Sequence, residues 1–213
     1  MKKIKRKEGI GALEIYKGQP VSEVALERIV KLAASGNERA FEQLVSIYES
    51  VVYNMAMYTV KNRDDALDVS QEVFVKLWQS LPTFRGECSI KSYIMKLTKN
   101  ASLDLMRKKS RRQSVSLTVE NDKGEEAQLD LPDTSDEANP EQAYLREERI
   151  RKVREGLLRL DDEQRQIIIM RDMNGMSYAE IADALGLNEG TVKSRLNRAR
   201  SALKKILTDG NYF

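Results

Sequence analysis

The side chains best equipped for chemistry in this chain are cationic, and they are bunched. Residues 89–112 hold Lys91, Lys96, Lys99, Arg107, Lys108, Lys109, Arg111 and Arg112 against the single acid Asp104. Residues 189–207 hold Lys193, Arg195, Arg198, Arg200, Lys204 and Lys205 against Glu189. Clusters of this kind neutralise phosphates and release condensed counterions, the sequence-independent part of nucleic-acid affinity, which weakens with salt. For the first cluster alone a solvated helix face competes with that reading, since a basic end also complements the helix dipole. The second cluster carries more information. Its cations are interleaved with Thr191, Ser194 and Asn197, and in a major groove arginine or lysine pairs with guanine while asparagine pairs with adenine.

Bond-making chemistry is poorly supplied by comparison. There is no histidine and one cysteine, Cys88, which excludes Ser-His-Asp and Cys-His catalysis, histidine acid-base work and any multi-cysteine metal site. Asp64, Asp65 and Asp68, or Asp161, Asp162 and Glu163, could be pictured around magnesium, yet both groups fall at helix starts, where capping accounts for them. No cofactor, metal or redox chemistry is expected, and a lone thiol suits a reducing cytoplasm. The basic start, Met1 to Lys7, runs into Glu8, Gly9, Gly11, Glu14 and Lys17 rather than an apolar stretch, so no secretory signal is expected. No run approaches the ~18 apolar residues of a membrane span, and no membrane insertion is expected.

The elements that must position these residues are helical. With charged residues at 32% and aromatics at 6% of 213 residues, a large sandwich or barrel is disfavoured, and the length suits two small domains. Segment charges divide the chain further. Residues 1–35 carry 8 basic and 4 acidic side chains and 36–112 carry 13 and 9, whereas 113–143 carry 1 and 9, and 144–213 carry 14 and 11. The division expected is a basic, disordered extension over 1–21, a first domain over 22–112, a flexible acidic linker over 113–139, and a second domain over 140–213. In the linker, stretches such as Asn121-Asp122-Lys123-Gly124 and Leu131-Pro132-Asp133 supply turn formers without an apolar period. Pro140 followed by Glu141 suits the first turn of a new helix.

Four helices are expected in the first domain. They cover Glu23 to Ala34; Glu38 to about Lys61, with Phe41, Leu44, Val45, Tyr48, Val52, Met55 and Ala56 at core spacing; Asp64 to Ser80; and Ser89 to about Lys109. The third places Val69, Val73, Leu77 and Leu81 along one strip and Asp65, Asp68, Glu72, Lys76 and Gln79 along another. In the second domain a helix with an acidic N-cap at Asp161 runs through Met170 to a break at Asn174-Gly175. Ser177-Tyr178-Ala179-Glu180 is a capping box, in which the serine hydroxyl and glutamate carboxylate satisfy free amides at a helix start. The short helix it opens ends at Leu185-Gly186-Leu187, and Asn188 caps a last helix from Glu189 to about Leu207. There Val192, Leu196, Ala199, Leu203 and Ile206 face inward, while Thr191, Lys193, Ser194, Arg195, Asn197, Arg198 and Arg200 face outward. A short helix, a glycine turn and an amphipathic helix with a basic polar start form a helix-turn-helix.

These residues resemble the sigma factors of bacterial RNA polymerase, in the extracytoplasmic-function group of the sigma-70 family, over about residues 22–207. The resemblance rests on Asp64 to Trp78, on Phe84-Arg85-Gly86-Glu87, and on Leu103 to Lys109 in the first domain. In the second it rests on Arg171-Asp172 followed by Gly175 to Ala182, and on Glu189 to Arg200. It implies an all-α protein of two conserved regions, called two and four. Such a protein is a specificity subunit without catalysis of its own that docks on core polymerase and directs it to promoter DNA. Asp65, Asp68, Gln71, Glu72, Phe74 and Trp78 then correspond to the surface that grips the clamp coiled coil, although the two aromatics also suit a core. Lys91, Ser92, Tyr93, Lys96, Lys99, Asn100, Arg107, Lys108 and Arg111 correspond to the part that reads the minus-ten element and holds its opened strand. That task calls for a basic track with a stacking face, for which Tyr93 is available. Many members read Thr-Trp-Leu where this chain has Ser92-Tyr93-Ile94, a departure that bears on base preference.

By the same resemblance Arg171, Thr191, Lys193, Ser194, Arg195, Asn197, Arg198 and Arg200 read the minus-thirty-five element, and the second domain touches the polymerase flap. An anti-sigma factor covering both domains is implied as a partner, the cytoplasm as the location, and the acidic linker as a mimic of nucleic-acid charge or a solvated tether. Two other classes stay open on the residues alone. A stand-alone regulator shares the helix-turn-helix but usually carries an α/β sensory domain, which residues 1–112 do not suggest. A DNA recombinase would need catalytic acids of the kind already assigned to helix caps.

Overall fold

A computed structural model describes residues 15–16, 19–115 and 140–209. The expected acidic linker therefore falls largely outside the described residues, as do most of the extension over 1–21 and the very end of the chain. What is described is helical apart from one minimal ladder, β1 (Ile15–Tyr16) paired antiparallel with β2 (Gln19–Pro20) in the register Ile15 to Pro20 and Tyr16 to Gln19.

Four helices make the first body: α1 (Glu23–Ala34), α2 (Glu38–Val60), α3 (Arg63–Ser80) and α4 (Ile90–Val115). Side chains start the first three. Ser22, Asn37 and Asn62 each accept a hydrogen bond from the amide three residues on, at Ala25, Ala40 and Asp65. α2 stops where Lys61 takes a left-handed conformation, with φ of 59°. Helix α2 lies at the centre of the bundle, with Leu44, Tyr48, Val52, Met55 and Ala56 fully buried against Ala66, Val69, Val73 and Leu77 of α3 and Ile94, Met95 and Ala101 of α4. Phe41 and Trp78 meet edge to face with ring centroids 4.8 Å apart, a contact worth about 0.5–1.5 kcal/mol beyond the area it buries. α4 also buries Thr98 and Ser102. Their hydroxyls donate to the carbonyls of Ile94 and Thr98 on the same helix, so neither polar group is orphaned.

The second body begins at Pro140, as its sequence suggests, with α5 (Pro140–Leu158), followed by α6 (Asp162–Ile168), a π turn over Ile169–Met173, α7 (Tyr178–Leu185) and α8 (Glu189–Asp209). The Asp161 side chain caps α6 through the Gln164 amide. The helix expected to run on to Asn174 instead widens into the π turn, closed by the Asn174 amide on the Ile169 carbonyl. α5 crosses α8 at Gly156, where a Cβ would come within 2.9 Å of Leu207 Cδ2, so the glycine permits the close approach.

The two bodies are packed against each other. α4 meets α7 and α2 meets α6, and the buried apolar side chains of both bodies form one cluster running from Ala33 to Ala199. At the centre of this junction lies Arg165, 1% exposed. Its Nε donates to the Leu157 carbonyl at 2.9 Å, and its terminal nitrogens donate to the carbonyls of Leu158, Leu160 and Tyr58 at 3.3, 2.5 and 3.0 Å and to the Asp162 carboxylate at 2.8 Å. One guanidinium thus serves the last carbonyls of α5 and a carbonyl near the end of α2, the groups a helix end leaves without partners and where its dipole favours a cation.

Candidate nucleic-acid interface

Local chemistry builds the helix-turn-helix. Ser177 accepts from the Glu180 amide at 3.1 Å and Glu180 accepts from the Ser177 amide at 2.8 Å, so the expected capping box is complete. Gly186 turns the chain with φ of 67°, a left-handed conformation that a side chain would strain. Asn188 then accepts from the Thr191 amide at 2.7 Å to start α8. Val192, Leu196 and Ala199 of α8 are completely buried, which fixes the helix rotation and turns Lys193, Ser194, Asn197 and Arg198 outward. Lys193, Asn197 and Arg198 take part in no ion pair among the described residues. That leaves a cationic, polar edge at the amino-terminal half of α8, where side chains of such a helix reach base edges.

The other members of this set are engaged within the protein. Arg195 pairs with Glu163 at 2.7 Å, and Arg200 grips Asp172 through two hydrogen bonds, which hold its guanidinium charged with a pKa raised further above its usual value. Both pairs join α8 to the α6 segment and its π turn. Arg171 donates to the Met176 carbonyl at 2.6 Å and stacks over Tyr178 at 5.0 Å, so its guanidinium braces the turn before α7. Thr191 is half-buried.

On α4 the basic residues separate in the same way. Lys96, Asn100, Arg107, Lys108 and Arg111 are exposed and Lys99 is half-exposed, forming a track along one side of the helix. Arg107 lies 3.4 Å from Asp104, and Lys109 reaches across to Asp65 of α3 at 2.5 Å. Tyr93 is half-buried with its ring 5.1 Å from that of Phe84. Lys91 and Ser92, by contrast, are buried at 7% and 1% exposure.

A second face lies on α3. Asp64, Leu67, Asp68, Gln71, Glu72 and Val75 are exposed, with Glu72 paired to Lys76 at 2.5 Å. Asp65 is largely covered by its pair with Lys109. Phe74 and Trp78 are turned toward the bundle, Phe74 against the core and Trp78 against Phe41. Leu67 and Val75, 44% and 56% exposed, are two aliphatic residues on this acidic face that sequence patterning did not single out. Their departure from the strip of Val69, Val73 and Leu77 was the available signal. No group of three or more acids or thiols among the described residues is arranged to hold a metal ion. No helix among them is long and apolar enough to cross a membrane.

Two family models match the chain, "Sigma-70 region 2" over residues 44–112 and "Sigma-70, region 4" over residues 150–203. Among curated proteins, the chain is 30% identical over 182 residues to the RNA polymerase sigma-H factor of Pseudomonas aeruginosa, covering 85% of this chain and 93% of that one. It is also 30% identical over 189 residues to the ECF RNA polymerase sigma-E factor of Escherichia coli, covering 87% and 93%. Among solved structures, CnrH in complex with the cytosolic domain of CnrY is similar with a TM-score of 0.61 at 27% identity, over 86% of this chain and 97% of that one.

Proposed function

The chain belongs to the extracytoplasmic-function RNA polymerase sigma factors of the sigma-70 family, and from that premise we propose how its surfaces divide the work of promoter recognition. As a sigma factor it binds core RNA polymerase and directs promoter-specific transcription initiation. Residues 22–112 act as region two and 140–213 as region four. Lys193, Ser194, Asn197 and Arg198 read the minus-thirty-five element in the major groove. The observation that carries this is the pairing of a fully buried Val192, Leu196 and Ala199 with an exposed, unpaired Lys193, Asn197 and Arg198 on one helix. Arg171, Arg195 and Arg200 support that helix through their internal bonds and contribute charge to the phosphates around it.

Lys96, Lys99, Asn100, Arg107, Lys108 and Arg111 form the track for the minus-ten element, with Tyr93 as its stacking face and Lys91 and Ser92 at its start. The exposed acids Asp68 and Glu72 with Gln71 on α3 make the core-polymerase surface, and Leu67 and Val75 add apolar contact there. Asp65, Phe74 and Trp78 hold that helix in place. The protein acts by binding, with no catalysis of its own, in the cytoplasm where core polymerase works. An anti-sigma protein covering both regions is its regulatory partner. The CnrH neighbour, solved with a bound CnrY domain, supports that reading.

Footprinting of polymerase assembled with the full chain on a promoter it selects tests the division. Arg198→Ala should weaken protection of the upstream element and leave the downstream one, and Lys96→Ala with Lys99→Ala should do the reverse. Loss of both footprints together in each variant would contradict the assignment.

A further inference from the structure

The helix-turn-helix of the second body is seated on the start of α4, which is where the minus-ten track begins. Ser92 Oγ donates to the Glu180 carbonyl at 3.0 Å, and Ser89 Oγ donates to the Glu180 carboxylate at 3.0 Å. Ser89 also caps α4, since its Oγ accepts from the Ser92 amide at 3.1 Å and its carbonyl accepts from the Tyr93 amide. Nearby, the buried Asn174 amide lies 3.8 Å from Met95 Sδ, and at the other side of the junction Arg165 crosses to the Tyr58 carbonyl. Two capping devices, the Ser177–Glu180 box of α7 and the Ser89 cap of α4, are thereby joined through one carboxylate. The residues they cover include Ser92 and Lys91, buried at 1% and 7%.

This arrangement cannot serve a promoter. The two elements lie roughly 25 base pairs apart, about 85 Å of duplex. From Glu180, which touches Ser92, the chain reaches Lys193 within at most about 35 Å. Residues 116–139 can span at most roughly 80 Å when extended, so the chain itself permits the two bodies to separate. We propose that the free protein locks itself closed through the Ser89–Ser92–Glu180 latch and the Arg165 cap, masking the start of the minus-ten track, and that promoter engagement requires the latch to open. The inference rests on the assignment of Ser92 and Lys193 to the two promoter elements. What closes the chain, however, is a measurable contact whether or not that assignment holds.

Ser89 is exposed and outside the proposed DNA-reading set, so it can be altered alone. Ser89→Asp keeps a strong helix cap but sets a second carboxylate against Glu180, while Ser89→Asn keeps both the cap and a donor for Glu180. In the full chain carrying Cys88→Ser, spin labels placed at Gln79→Cys on α3 and Lys204→Cys on α8, both exposed, report the separation of the bodies. The expected result is one narrow distance distribution for the labelled parent and for Ser89→Asn. Ser89→Asp should shift the ratio of open to closed chains roughly tenfold toward a broad, longer distribution. A broad distribution in the parent overturns the lock by itself, whatever the variants do. Identical distributions for Ser89→Asp and Ser89→Asn overturn the latch as its cause. Transcription with core polymerase, run on the same samples, separates the two readings: a closed parent that never directs initiation refutes the sigma assignment and leaves the lock standing.

Discussion

Replacing Arg165 with methionine removes a buried side chain of similar length while deleting every one of its hydrogen bonds. The wild-type guanidinium satisfies carbonyls at Leu157, Leu158, Leu160 and Tyr58 and pairs with Asp162. Methionine leaves four carbonyls at helix ends without a donor in a place that excludes water. Each such group costs about 1–3 kcal/mol when orphaned. Against that, the desolvation penalty of burying a guanidinium is recovered, and partial rearrangement lets some carbonyls find water. A net loss of about 3–5 kcal/mol follows, a large part of the 5–15 kcal/mol that holds a typical domain. With a urea dependence of about 2 kcal/mol per molar, the midpoint of unfolding should fall by roughly 2 M. Arg165→Lys should be intermediate, because an ammonium has three donors and no planar fork. A midpoint within about 0.5 M of the wild type for Arg165→Met would refute the reasoning, since it would mean that these carbonyls are satisfied without the guanidinium.

Lys193→Ala and Arg198→Ala should each weaken binding to the selected upstream element by about 1–3 kcal/mol, or roughly 5- to 150-fold, in a duplex mobility assay, with little change in thermal stability because both side chains are exposed. Glu72→Lys should lower affinity for core polymerase about tenfold in a competition binding assay and leave binding to isolated duplex DNA unchanged; equal core affinity would remove α3 from that surface. The Cys88 thiol is pushed up by burial and then by the Asp183 carboxylate, with Lys96 opposing and Glu87 adding. Its thiolate fraction at pH 8 is therefore smaller in the folded chain, so alkylation by iodoacetamide should reach half its limiting rate at a higher pH in native protein than in guanidinium. A native midpoint at or below the unfolded one would contradict the environment described for this residue.

Most of the helices were legible because their signals are local. The Ser177 and Glu180 pair, Asn188 before α8 and Asp161 before α6 lie within one turn of the amides they satisfy. The inward strip of Val192, Leu196 and Ala199 fixes rotation from sequence alone. Contacts between distant segments were not legible. Nothing near Arg165 announces that it serves backbone carbonyls of three other segments, since carbonyls leave no trace in a sequence. Ser92 and Lys91 read as part of an open basic track, and only the approach of Glu180, 88 residues away from Ser92, buries them. The π turn over Ile169–Met173 escaped for a related reason: one extra residue in a turn hardly disturbs an apolar pattern as dense as Ile167 to Met170. On α3 the aromatic pair Phe74 and Trp78 lies between two plausible faces by spacing, and the ring of Phe41 decides where Trp78 points.

Run-off transcription from a genomic DNA library, using purified bacterial core polymerase with and without the full chain, tests the central claim most directly. The account predicts new start sites that appear only with the protein and share two upstream sequence elements at a fixed spacing. Duplex DNA binding without any new start site would contradict it and point to a regulator that acts without the polymerase.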